Sequence, residues 1–225
     1  MNEAQPQTLN LTPTDALALL AERARGLATG NRRVAFGMAG GPGVGKSTLA
    51  VDLVDRLNNE TPGFAAYVPM DGFHMKHAKL EALGTVRDKG MPHTFEGAAF
   101  ADFLETLKTA EGPVSGPGYS RKIEDVVEGA FTVDADVTLL VVEGNYLLLD
   151  TPPWDRIRPL LDLAVFIDVP RETVRARLLR RHAEEGLFTE ERNRKHIERV
   201  DLANYDLVRR SRPRADFAID LLTES

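Results

Sequence analysis

The sequence predicts an α/β fold in which a mainly parallel sheet is layered between helices. Three observations carry this expectation. Short apolar runs alternate with stretches of helical spacing along most of the chain. The segment Gly40-Gly41-Pro42-Gly43-Val44-Gly45-Lys46-Ser47 fits G-x-x-x-x-G-K-[ST] and stands between an apolar run, Val34 to Ala39, and a helical stripe. Two further apolar runs close on a carboxylate, Asp71 and Glu143. A parallel sheet collects such strand ends on one edge, where ligands bind.

Taken in order, Leu17, Leu20, Ala24 and Leu27 give a leading amphipathic helix over Thr12 to Ala28, with Thr12, Thr14 or Asp15 as its cap. Val34 to Ala39 reads as a strand, and Leu49, Leu53, Val54 and Leu57 as one face of the helix that starts near Lys46. Phe64 to Met70 reads as a strand. Residues 72 to 95 lack periodicity and read as a long functional loop or small insertion. Phe100, Phe103, Leu104 and Leu107 mark another helix, Pro113 to Arg121 is turn-rich, and Ile123 to Val133 suits a hairpin arm. Val137 to Val142 and Leu163 to Val169 read as strands, with helices over Pro153 to Leu161, Arg171 to His182 and Glu190 to Arg210, and a last strand over Phe217 to Leu221.

Composition narrows the function classes. With 225 residues and 43% hydrophobic content the chain can bury one sizeable core, expected as a single domain over 1–225. It has no cysteine, which excludes disulfides, thiolate catalysis and cysteine-held zinc. Met1 to Asn10 is polar rather than basic then apolar, and no apolar run is long enough to span a membrane, so a cytoplasmic protein without a membrane partner is expected. A formal charge of −6 argues against nucleic acid as the partner. Oligomeric state is not legible, and a homodimer is the commonest default.

The glycine-rich segment carries the first chemistry. Its glycines let the backbone curl so that successive N–H groups face phosphate oxygens, and the following helix adds the positive end of its dipole. Gly40, Gly41, Pro42, Gly43, Val44, Gly45, Lys46, Ser47 and Thr48 therefore form the expected cradle for ATP. Lys46 would reach the β- and γ-phosphates and Ser47 would ligate Mg²⁺. Asp71 suits a base that takes the proton of an attacking hydroxyl, although Asp-Gly is also a strong turn signal. Glu143 stands where the acidic group that organises Mg²⁺ belongs, and it is longer than the more usual Asp.

Together the glycine-rich loop, Met70-Asp71-Gly72-Phe73-His74 and Val142-Glu143-Gly144-Asn145-Tyr146-Leu147-Leu148 resemble the uridine kinase and pantothenate kinase superfamily, nearest its fructose-transport-system kinase-like branch. The resemblance runs from about Val34 to Leu221. It implies the three-layer fold of P-loop NTPases, with a substrate-binding insertion over about 72–135 and a helical lid over about 171–200. It also implies that Asp71 is the catalytic base and that the arginine-bearing helix after Val169 closes over the phosphates, with Arg177, Arg180 and Arg181 as the catalytic candidates. Uridine kinases carry further lid arginines about where Glu185 and Leu187 stand here, which argues against a plain nucleoside kinase.

For the acceptor, His74, His93, Tyr119, Arg121, Asn145 and Tyr146 are polar groups able to hold a hydroxyl-rich or anionic small molecule. The expected activity is ATP-dependent transfer of the γ-phosphoryl group to a hydroxyl of a sugar, a pantothenate-like or a nucleoside-like metabolite. The alternative from another class is a regulatory P-loop NTPase switch without a small-molecule acceptor. Trp154 is expected in the core, His77 on an exposed loop.

Overall fold

The computed structural model describes residues 5–30, 32–185 and 189–222. Its centre is a six-stranded sheet, every neighbouring pair parallel, made of β1 (Gln7–Leu11), β2 (Val34–Ala39), β3 (Ala65–Pro69), β6 (Leu139–Gly144), β7 (Leu163–Asp168) and β8 (Phe217–Leu221) in the order β1-β8-β7-β2-β6-β3. A separate antiparallel hairpin joins β4 (Val114–Ser120) to β5 (Asp125–Val133). The helices are α1 (Pro13–Leu27), α2 (Lys46–Glu60), α3 (His77–Leu83), α4 (Gly97–Thr109), α5 (Arg171–Glu185), α6 (Glu190–His196) and α7 (Leu202–Arg209), α6 and α7 being joined by a π-helical turn over Ile197–Asp201.

Strand alternation sorts side chains into two cores, one on each face of the sheet. From β2, Val34, Phe36 and Met38 enter the core beneath α1 and α2, with Leu20, Leu53 and Leu57. Ala35 and Ala39 face the other way, into the core with Phe100 and Leu104 of α4 and Trp154. The second face of β2 is all small residues because the connection before β7 lies tight against it: a Cβ at Gly37 would stand 2.5 Å from Leu161 Cδ1. Inner strands covered on both faces read as unbroken apolar runs, which is why they were legible.

Four elements differ from expectation. Strand β1 lies outside the expected elements; among the described residues it pairs only with β8, from Gln7 opposite Phe217 to Leu11 opposite Leu221, and as a mostly exposed edge it lacks an apolar run. The stretch read as turn-rich over Pro113 to Arg121 is strand β4, with an irregular register between Gly116 and Gly118. There a side chain would strike Phe131 of the partner strand, 2.4 Å away, so glycine serves packing rather than turning. The helix expected over Pro153 to Leu161 is two short 3₁₀ turns, Trp154–Arg156 and Arg158–Leu160, the first preceded by Pro153 and the second holding Pro159 at its second position. The unperiodic stretch after Asp71 contains α3, capped by a left-handed Gly84.

Candidate active site

Register builds the site. Glu143 on β6 pairs with Met38 of β2 on one side and Pro69 of β3 on the other. The glycine-rich loop that leaves β2 and the Met70–Phe73 turn that leaves β3 therefore flank one carboxylate at the carboxyl edge. The loop curls onto α2 through Gly45, whose φ of 101° is left-handed and open to glycine at no steric cost. Its start is wedged against the sheet, since a Cβ on Gly40 would lie 2.4 Å from the Ile167 carbonyl oxygen.

Lys46 opens α2 and is buried, its Nζ 3.3 Å from the Gly41 carbonyl oxygen and 3.3 Å from Glu143 Oε1. The Tyr67 hydroxyl donates to the other Glu143 oxygen at 2.9 Å. Burial first, then the Glu143 charge, push the Tyr67 phenol far above its ordinary value, so it stays a donor. Ser47 and Thr48 follow on the same helix turn and line the cleft. The serine hydroxyl with the carboxylates of Glu143 and Asp71 makes an all-oxygen donor set, which suits Mg²⁺ when phosphate oxygens complete it. No group of three or more His, Cys, Asp or Glu side chains among the described residues could hold a metal alone.

Asp71 lies in the Met70–Phe73 turn, half-buried on the wall of a cleft of about 740 Å³ shared with Lys46, Ser47, His74, Tyr119, Arg121 and Asn145. Hairpin β4–β5 closes in on it, because Gly72 allows the Pro117 carbonyl so near that a Cβ there would overlap it at 1.9 Å. A second hollow, between β3 and the hairpin, shares Ser47, Asp71, Tyr119 and Arg121 with the first. His74 stacks between Phe95 and Tyr119, ring centroids 3.9 and 4.4 Å away, and its Nδ1 lies 2.7 Å from the Asp71 carbonyl oxygen. Burial lowers its pKa from 6.5. Asn145 Oδ1 is buried and has no hydrogen-bond partner among the described residues, an acceptor suited to a donor entering the cleft.

From α5, Arg177 donates to the Val44 carbonyl oxygen at 3.0 Å and so clamps the glycine-rich loop. Arg180 and Arg181 line the same cleft, Arg180 exposed and 3.8 Å from Glu184. The side chain of Glu185 and all of Leu187 lie outside the described residues.

Two residues expected at the acceptor lie elsewhere. The Tyr146 ring is fully buried against Phe95 and Trp154, and its hydroxyl donates to the Gly90 carbonyl, so it is a core residue and not a cleft one. His93 is half exposed and faces Asp88 at 3.5 Å, outside the cleft wall. Both follow a motif or lie in an unperiodic loop, where sequence does not say which way a side chain turns. Conversely, Tyr67, Lys89 and Asn204 escaped the sequence reading. Lys89 and Asn204 line the cleft, and Tyr67 holds Glu143; none sits in a motif, and only folding brings them there. Trp154 is in the core as expected, at 2% exposure, whereas His77 begins α3 rather than lying in a loop.

The model of the family described as "Phosphoribulokinase / Uridine kinase family" matches residues 35–225, which takes in every element from β2 onward that builds this edge. The chain belongs to that kinase family. A Schizosaccharomyces pombe protein provisionally named a uridine kinase is 31% identical over 210 residues, 90% of this chain and 89% of that protein. A pantothenate kinase of Leifsonia xyli is 34% identical over 137 residues, 59% of this chain and 42% of that enzyme. Among solved structures, one from Silicibacter sp. TM1040, provisionally named a fructose transport system kinase, superposes with a TM-score of 0.81 at 31% identity, covering 90% of this chain and 98% of that one. The family's kinase fold thus accounts for the parallel sheet and its phosphate loop, and membership implies use of ATP and Mg²⁺. No helix among the described residues is long and apolar enough to cross a membrane.

Proposed function

We propose that the protein transfers the γ-phosphoryl group of ATP to a hydroxyl of a small metabolite. The observation that carries this reading is a shared cleft onto which both Lys46–Ser47 and Asp71 open, with His74, Tyr119, Arg121 and Asn145 also on its wall. A switch that uses water alone needs no such wall. Asp71 takes the proton of the acceptor hydroxyl as its oxygen attacks the γ-phosphorus in line, and the bond to the β–γ bridging oxygen breaks to release ADP. Lys46 and the arginines of α5 take up the charge that develops on the transferring group. Ser47, with Glu143 nearby, would hold Mg²⁺, which would supply positive charge against the phosphates.

In this reading the segment from Gly72 to the end of β5 binds the acceptor, and α5 with the residues that follow acts as the lid, shielding the reaction from water. The cytoplasm, where ATP is held, is the implied compartment. Coupled ADP-release assays over sugars, polyols, nucleosides and hydroxy acids test the proposal. One class should raise a slow basal hydrolysis by orders of magnitude with one phosphorylated product per ADP. A panel without stimulation, with nucleotide state instead controlling a protein partner, would overturn it.

A further inference from the structure

Register and side-chain length bring Tyr67 to the phosphate-loop end of the cleft. It stands opposite Val141 of β6, on the face that α2 covers, and Glu143 lies two residues further along that same face. The tyrosine reaches forward one step, so that its hydroxyl meets Glu143 Oε2 at 2.9 Å while Lys46 Nζ stands 3.3 Å from Oε1. Further back α2 and β3 are fixed to each other: Asn58 Nδ2 donates to the Ala65 carbonyl oxygen and Asn58 Oδ1 accepts from the Ala65 N–H, both at 2.9 Å. The first turn of α2 therefore presents Ser47 to the same phenol, which the serine side chain meets as a hydrogen-bonding neighbour. Ser47 and Tyr67 line the hollow between β3 and the hairpin together, and Ser47 opens onto the main cleft as well.

The direction of the hydrogens follows from the chemistry of the three groups. A carboxylate only accepts, so the phenol commits its single hydrogen to Glu143. Toward Ser47 the phenol oxygen then offers lone pairs alone, and the serine O–H is the donor. With its hydrogen drawn to Tyr67, the serine oxygen keeps its own lone pairs for the cleft, the orientation that a cation needs. The reverse order, serine accepting from the phenol, takes the phenol's hydrogen from Glu143, a residue only 3% exposed, and occupies a lone pair that the metal requires.

We infer that Tyr67 is a positioning residue for Mg²⁺: a chain from Ser47 O–H to the Tyr67 oxygen, and from Tyr67 O–H to Glu143, turns the serine oxygen toward the cation beside the phosphates. Tyr67 is not itself a ligand; it acts through Ser47. The inference rests on the nucleotide-and-metal half of the kinase reading and on nothing about the acceptor.

The test reads metal binding directly on the full chain. Mn²⁺, a paramagnetic stand-in for Mg²⁺, is titrated into the ADP complex by electron paramagnetic resonance, and ADP is titrated calorimetrically in EDTA. Tyr67→Phe, which removes the hydroxyl and keeps the ring, should weaken Mn²⁺ by about 10- to 100-fold and leave metal-free ADP affinity unchanged. Because Tyr67→Phe also takes a donor from a buried carboxylate, 4-aminophenylalanine in place of Tyr67 is the second arm. Its amine still donates to Glu143 but points a hydrogen at Ser47 instead of a lone pair, so Mn²⁺ should weaken there too in a protein that keeps the parent's urea midpoint. Ser47→Ala should itself weaken Mn²⁺, and adding Tyr67→Phe should cost little more, since the tyrosine acts through the serine. Unchanged Mn²⁺ affinity in Tyr67→Phe or with 4-aminophenylalanine overturns the inference, as does an undiminished loss in the Ser47→Ala background. A parent that binds Mn²⁺ in this way but phosphorylates no metabolite leaves the inference standing and sinks the kinase reading alone; a parent ADP complex that binds no Mn²⁺ overturns both.

Discussion

The Lys46 ammonium lies 3.3 Å from Oε1 of Glu143, so the phosphate-loop lysine is one half of a buried ion pair. This pairing couples nucleotide binding to folding at one point. Glu143 is only 3% exposed, and among the described residues its other side-chain partner is the Tyr67 hydroxyl.

Removing the lysine therefore does two things. Lys46→Ala should weaken MgATP binding or abolish turnover, and it should also strip a buried carboxylate of its countercharge. A loss of about 1–3 kcal/mol of unfolding free energy is expected, read by urea titration of the unliganded protein. Lys46→Ala with Glu143→Gln should recover much of that stability but none of the turnover. A single variant as stable as the parent would mean that Tyr67 alone satisfies Glu143.

Asp71 is assigned the base, and its turn separates the role from the geometry. Asn suits the same turn. Asp71→Asn should lower phosphoryl transfer by ~10²–10⁴-fold while ATP affinity holds, measured by single-turnover kinetics beside nucleotide titration. A loss smaller than tenfold would return Asp71 to a structural part in the turn.

Gly72 bears on the hairpin rather than on chemistry. A methyl group there would overlap the Pro117 carbonyl at 1.9 Å, backbone against backbone, and neither strand end can yield cheaply. Gly72→Ala is expected to cost about 1–3 kcal/mol of stability and to push β4 away from Asp71, raising KM for the acceptor more than for ATP. An unchanged melting temperature and acceptor KM would show that the hairpin is not held against this turn.

Two histidines predict the acid side of the stability profile. Burial lowers His74, with Asp71 opposing and Lys89 and Arg121 reinforcing, and lowers His196, with Asp201 and Glu124 opposing and His182 and Arg199 reinforcing. Each binds its proton less readily folded than unfolded, so the unfolded chain takes up more protons as pH falls through about 6.5. The stability they contribute is complete above that value and is lost below it, down to their folded pKa. The slope from each is at most about 1.4 kcal/mol per pH unit. Urea titrations at pH 7.5 and 5.5 should show a smaller loss in His74→Phe and His196→Phe than in the parent; equal losses would refute it.

The inner strands and the phosphate loop were legible because local rules dictate them. A strand covered on both faces must be apolar throughout, as Leu139 to Val142 are, and a backbone that turns through left-handed geometry at Gly43 and Gly45 must use glycine. The same logic placed Asp71 and Glu143 at one edge, since parallel strands deliver their carboxyl ends together. Tertiary structure alone decided the rest. β1 exists because β8 offers it an edge, and β4 is a strand despite Gly116, Pro117 and Gly118 because Phe131 and the Asp71 turn press against it. Tyr146 follows the motif of Glu143 yet turns into the core, while Lys89, in a stretch without pattern, is brought over Tyr119 by bonds to Gly90 from elements far along the chain. Side-chain direction in a loop is set by which distant surfaces close on it, and no local spacing encodes that.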